Sequence, residues 1–232
     1  MDELLYDKMK EICESAGFVR KGKVFFRVWG DGVLQVVKCQ YERAFQSYLI
    51  CVGLQSMYAQ LQPKHFTAGG CMANYSVTQC HYLNGVPMIF APYMEVQLDM
   101  LKNGVLPWLN TIDTQKKLVT AITKLDNRWN DARKIGPFLA CGESNHAKKV
   151  IKEIIGAHSF AMVRSVAPRD VSVADMVSKV RAENPPFYGI IELIDMGEAA
   201  VSAYLQANFE ENMGYAKLII KKQKGSKQGE NP

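Results

Sequence analysis

The chain has 232 residues, 48% of them hydrophobic and 22% charged, with a formal net charge of +5. That balance excludes a disordered or fibrous chain, and the length suffices to bury a core without disulfide or metal staples. Four lysines (Lys221, Lys222, Lys224 and Lys227) against Glu230 give the last twelve residues a net +3, which leaves +2 on the body. A near-neutral body with a short lysine-rich end is a weak electrostatic footprint for nucleic acid.

The first element expected is an amphipathic helix over residues 2–16, with Leu4, Leu5, Met9, Ile12, Cys13 and Ala16 on one face. Asp2 is available to cap its start and Gly17 to end it in a left-handed conformation. Strand-like runs follow. Val24 to Trp29 and Val33 to Gln40 flank the compact turn Gly30-Asp31-Gly32. Phe45 to Leu54 is apolar on both alternating sets, which predicts a strand covered on both faces. After an irregular stretch punctuated by Pro63, Gly69 and Gly70, Val77 to Leu83 reads as a fourth strand. Asn84-Gly85 is a hairpin signal, and Pro87 confines its partner to an edge.

From Tyr93 onward the period is helical. Tyr93 to Lys102 is expected to stop at Asn103-Gly104. Leu118, Ala121, Ile122, Leu125 and Trp129 form a stripe that Asp113 can cap. Ala147, Val150, Ile151, Ile154, Ile155, His158 and Met162 form another, and Val173, Met176, Val177 and Val180 a shorter one after Asp170. Asn184-Pro185-Pro186 forces a break. Phe187 to Ile194 fits strand or helix and is assigned helix. Val201, Tyr204, Leu205, Tyr215, Leu218 and Ile219 predict a long last helix. The fold class expected is therefore α+β: an N-terminal helix on a small antiparallel sheet, then a helical C-terminal half. Residues 1–110 form the sheet domain, 111–220 a helical region packed on it, and 221–232 a disordered lysine-rich tail.

The first half resembles a known family. The residues that carry the resemblance are Ala16-Gly17-Phe18-Val19-Arg20-Lys21-Gly22, Phe25-Phe26-Arg27, Gly32 through Gln40, Val52-Gly53-Leu54 and Val105-Leu106-Pro107-Trp108-Leu109. They are similar to the bacterial proteins grouped as domain of unknown function 4304. The resemblance implies a bacterial cytosolic protein and a fold of this kind, and it implies no assigned activity. By analogy it admits an immunity-like role.

The sequence contains no G-x-x-x-x-G-K-[ST], G-x-G-x-x-G, G-x-S-x-G or H-E-x-x-H motif. That argues against the common nucleotide hydrolases, dinucleotide oxidoreductases, serine hydrolases and zinc proteases. His65, Cys71, Cys80 and His81 are zinc-ligand types, but their spacing is poor and neighbours on a strand face opposite ways, so no metal and no cofactor is expected. A thiol–imidazole pair drawn from the same residues would supply a nucleophile. The six cysteines read as buried thiols. His158 lies on an apolar stripe and reads as a core residue. Glu95 with Asp99, and Glu192 with Asp195, are carboxylates one turn apart that either share a proton or face solvent. Trp129 lies in a run of alternating charges from Asp126 to Arg133, a binding edge or a helix end with local ion pairs. Finally, Arg27 and Trp29 share one strand face with Phe25, and Lys38 shares one with Gln40.

These considerations nominate Arg27, Trp29, Gln40, Cys71, His81 and Glu95 as ligand-binding candidates at the junction of sheet and helices. The expected function is a non-catalytic interaction or small-ligand-binding protein of the cytoplasm, with another protein or a small molecule as partner and no membrane. Two alternatives remain open. One is an enzyme with its site at that junction. The other is a weak nucleic-acid binder using Arg27, Trp29 and the lysine tail, although nucleic acid is not the expected partner.

Overall fold

The computed structural model describes residues 2–42, 47–61, 74–76, 94–125, 132–157, 171–183 and 187–227, some at chain ends and in strands by their backbone alone. Helix α1 (Asp2–Ser15) opens the chain. It ends because Gly17 takes φ 81°, and Phe18 N–H and Gly17 N–H then donate to the Cys13 and Glu14 carbonyls, satisfying two carbonyls that would otherwise be orphaned. Strands β1 (Val19–Lys21), β2 (Val24–Trp29), β3 (Val33–Glu42), β4 (Ser47–Ser56) and β5 (Asn74–Ser76) follow. Among the described residues they form one antiparallel sheet in chain order. The α+β reading holds. The three-residue β1 is too short to announce itself in a sequence, and β4 lies inside the sheet between β3 and β5. The Val77–Leu83 strand and the hairpin at Asn84-Gly85 lie outside the described residues.

The next helical stretch does not stop at Asn103-Gly104. Helix α2 (Met94–Met100) passes through a π-helical turn (Leu101–Val105) into α3 (Leu106–Asn110). In that turn Leu106 N–H donates to the Leu101 carbonyl, five residues back. Pro107 has no N–H to give to a carbonyl four residues back, so a break in the ordinary ladder is cheap just there. The extra residue resets the phase, and Leu98, Leu101, Val105, Leu106 and Leu109 all reach the same core.

Helix α4 (Gln115–Leu125) begins at Thr114, whose hydroxyl accepts from Lys117 N–H at 3.3 Å. Asp113, the cap expected from sequence, instead accepts from Lys117 Nζ at 2.7 Å. A 3₁₀ turn (Ala132–Lys134) leads into α5 (Ile135–Ala140) and α6 (Ser144–Ala157). Helix α7 (Val173–Ala182) is capped by Ser172, whose hydroxyl accepts from Asp175 N–H at 3.1 Å. Helix α8 (Phe187–Asp195) confirms the helical assignment of Phe187 to Ile194. Helix α9 (Glu198–Lys227) runs thirty residues. It continues through Lys227, so residues 221–227, expected to be disordered, are helical. Lysine and glutamine are good helix formers, which lets the last helix extend into the charged end. Leu218, one of the apolar residues from which this helix was expected, is 58% exposed.

The two faces of the sheet are buried against different helices. One carries Phe25, Val37, Val52 and Leu54 against α1, α2, α3 and α4. The other carries Val24, Phe26, Leu34 and Val36 against Met57, Leu61 and the Phe209, Met213 and Ala216 segment of α9. A second helical core gathers α5 to α8 around the first half of α9, through Ile151, Val180, Leu193 and Ala200. The segment after β4 fastens the parts together. Asn212 Nδ2 donates to the Met57 and Ala59 carbonyls, each at 2.8 Å, and Asn208 Nδ2 to the Tyr58 carbonyl at 3.1 Å. Among the described residues no helix is long and apolar enough to cross a membrane.

Candidate functional site

The polar centre of the sheet–helix junction is Arg27. The three-residue turn Gly30-Asp31-Gly32 pairs β2 with β3 so that Arg27 stands opposite Gln35, with Phe25 opposite Val37 and Trp29 opposite Val33. This face looks toward the helices, so Arg27 and Gln35 are buried, at 5% and 0% exposure. A buried guanidinium must spend its donors on protein acceptors. Arg27 Nε donates to Gln35 Oε1 at 2.9 Å, Nη1 to the Ala16 carbonyl at 2.6 Å, and Nη2 to Asn110 Oδ1 at 2.5 Å. The guanidinium plane lies over the Phe18 ring at 4.5 Å and the Trp29 ring at 4.1 Å. Gln35 Nε2 continues the network to the Leu109 and Ile112 carbonyls, at 2.7 and 3.1 Å, and Trp29 Nε1 donates to the Asn110 carbonyl at 3.2 Å.

One arginine thus joins the end of α1, the hairpin and the end of α3, using neutral acceptors only. Burial pulls its pKa down, and the neighbouring Cys13 pulls it back up. The Cys13 thiol does not act as counter-charge at neutral pH, because burial pushes its pKa up to about 12 despite the pull of Arg27. Cys141 is shifted up as well, first by burial and then by Glu143 and Asp31. Both shifts run opposite to what activates a thiol nucleophile.

Beside this network, α1 and the π turn with α3 wall a groove of about 450 Å³. Ile12, Ala16, Leu106 and Pro107 supply its apolar surface, and Glu11, Ser15, Lys102 and Asn110 its polar groups. Two of these residues, Ala16 and Asn110, are the ones held by the terminal nitrogens of Arg27. The volume falls in the range of small-ligand sites.

Three of the six nominated side chains, those of Arg27, Trp29 and Glu95, are described. Arg27 and Trp29 stack on one another at the junction. Glu95 is exposed in the first turn of α2. Gln40 belongs to β3, where its side chain lies outside the described residues, as do Cys71 and His81 entirely. So do His65, Cys80, Trp129 and His158. In each carboxylate pair the aspartate has another partner. Asp99 accepts from Asn103 Nδ2 at 2.6 Å, and Asp195 pairs with Lys148 at 2.5 Å. Among the described residues no group of three or more His, Cys, Asp or Glu side chains could hold a metal ion.

Sequence reading missed Gln35, Asn110 and Lys102. A signal for Gln35 was present, since a hairpin closed by residues 30–32 places residue 27 opposite residue 35. Nothing local points to Asn110, which meets Arg27 across 83 residues of chain. Comparison with known proteins returns no matching family model, no similar curated protein and no similar solved structure.

Proposed function

We propose that this protein is a non-catalytic binding protein whose ligand site is the groove between α1 and the π turn with α3. The observation that carries the reading is the coupling of that groove to Arg27. The most polar side chains at the junction are spent on fixing the groove's walls, with Arg27 holding Ala16 and Asn110 and Gln35 holding the end of α3. A π turn in the wall adds support, since such turns recur at functional sites. A rigid scaffold behind a small, mixed polar and apolar groove suits recognition, because preorganised walls lower the cost of binding. An immunity-like role, with a protein partner seated there, is one form of this reading, and the resemblance of the first half to the domain-of-unknown-function-4304 proteins belongs to the same proposal.

The test is to titrate the isotope-labelled full chain with a library of small molecules and short peptides and to follow its amide resonances. Perturbations clustering at Glu11, Ser15, Lys102 and Asn110 are expected. Turnover of any compound that disappears on changing a single side chain would overturn the non-catalytic reading.

A further inference from the structure

The hydrogen-bond chemistry around Asn110 defines what the groove can recognise. A guanidinium has donors only, so the amide atom that meets Arg27 Nη2 at 2.5 Å is the oxygen. The Asn110 NH₂ group is thereby turned away from Arg27, and Asn110 lines the groove. Asn110 and Lys102, both able to donate, line the same wall. The opposite wall, α1, offers acceptors. Glu11 contributes a carboxylate, and Ser15 has spent its hydroxyl proton on the Ile12 carbonyl at 2.8 Å, so its lone pairs remain for a ligand. Between the walls lies apolar surface from Ile12, Leu106 and Pro107. Behind the donor wall sits the buried charge of Arg27, which no carboxylate compensates among the described residues. A buried charge lacking an ionic partner favours an anion nearby.

We propose that the groove binds a carboxylate with an adjacent hydrogen-bond donor and an apolar side chain: an apolar amino acid, free or as the last residue of a peptide. The inference rests on the groove being the binding surface and names its ligand class. Asn110 and Lys102 receive the carboxylate, Glu11 and Ser15 receive the amine or amide N–H, and the apolar side chain lies on Leu106 and Pro107. Arg27 touches no ligand atom. It is a positioning residue that fixes which way the Asn110 amide points.

The experiment is calorimetric titration of the full chain at low salt with L-leucine, N-acetylglycyl-L-leucine and L-leucinamide. One of the two acids is expected to bind one-to-one, with the amide about tenfold weaker or more, the loss that follows from removing a charge-assisted pair. Tighter binding of L-leucine identifies a free amino acid as the ligand, and tighter binding of the acetylated dipeptide identifies a peptide end. Asn110→Asp keeps an acceptor for Arg27 but exchanges the donors for a negative charge. It is expected to weaken the acid about tenfold or more without lowering the melting temperature. Lys102→Ala, at an exposed position, is expected to weaken it several-fold. Equal binding of acid and amide, or acid binding unchanged in both variants, overturns the proposal. If neither acid binds while other library members perturb the groove, the ligand class is wrong and the groove remains the site. If nothing perturbs the groove, both readings fall.

Discussion

At the scale of single residues, Arg27 sets the stability of the junction. Its planar fork reaches three acceptors in three directions, and an ammonium cannot reproduce that geometry. Arg27→Lys is expected to cost roughly 2–4 kcal/mol, since Gln35 Oε1 and the Ala16 carbonyl would be left buried with poor partners. Urea unfolding would measure it, and a loss under about 0.5 kcal/mol would contradict the role given to the network. Cys13 gives a pH dependence. Folding raises its thiol pKa from 9.0 to about 12. Between those values the unfolded chain has released a proton that the folded chain retains, so stability falls as pH rises above about 9 and is unaffected below it. Tyr58 and Tyr204, both raised chiefly by burial, act in the same direction. In Cys13→Ala the decline of the urea midpoint between pH 8 and pH 10 is expected to be shallower than in the parent. An equal slope would mean that the thiol titrates normally.

At the scale of elements, the β2–β3 turn shows how tightly the hairpin is docked. Gly30 has φ 51°, and a Cβ there would lie 2.0 Å from the Asp113 carbonyl oxygen. The adjacent Asp31 N–H donates to that same carbonyl at 2.7 Å, so neither side can retreat without losing the bond. Gly30→Ala is expected to cost at least about 2 kcal/mol, the sum of backbone strain and a displaced hydrogen bond. A thermal melt unchanged from the parent would show that the turn is not clamped as described. This clamp also explains what was legible from sequence. The strands flanking Gly30-Asp31-Gly32 are rich in β-branched and aromatic residues, and the helices α6, α7 and α9 repeat apolar residues at helical spacing, so elements of both kinds could be read directly. The π turn could not, because it exists to rephase the α2–α3 stripe around a proline, and Asn103-Gly104 carries the ordinary signature of a helix end. The candidate site was half legible. Arg27 and Trp29 share a face by alternation alone, while Asn110 and Lys102 arrive through tertiary packing that leaves no local trace.

At the scale of the whole molecule, the sheet is buried on both faces, and α9 belongs both to the helical core and to the sheet's second face. The link between halves is polar as well as apolar. Gln60 Nε2 donates to the Arg181 carbonyl at 2.6 Å, Tyr58 stacks on Phe209 at 5.1 Å, and Asn212 serves two carbonyls beyond β4. The two halves are therefore expected to unfold together. Far-UV circular dichroism, dominated by the helices, and tryptophan fluorescence, with Trp29 and Trp108 on the sheet side, should report one coincident urea transition. Separate midpoints would show two independent units. Asn212→Ala leaves the Met57 and Ala59 carbonyls without their donor and is expected to shift both signals equally, by roughly 2–3 kcal/mol.

The central claim is that Arg27 holds the groove's wall in a fixed orientation for a ligand. The most direct measurement follows the Arg27 side-chain Nε–H resonance of the labelled full chain during titration with L-leucine and N-acetylglycyl-L-leucine. A slowly exchanging signal that shifts saturably with one of these acids, together with the Asn110 NH₂ signals, is the result expected. An Arg27 resonance that exchanges rapidly with water, or that stays fixed while the acid binds, would contradict the account.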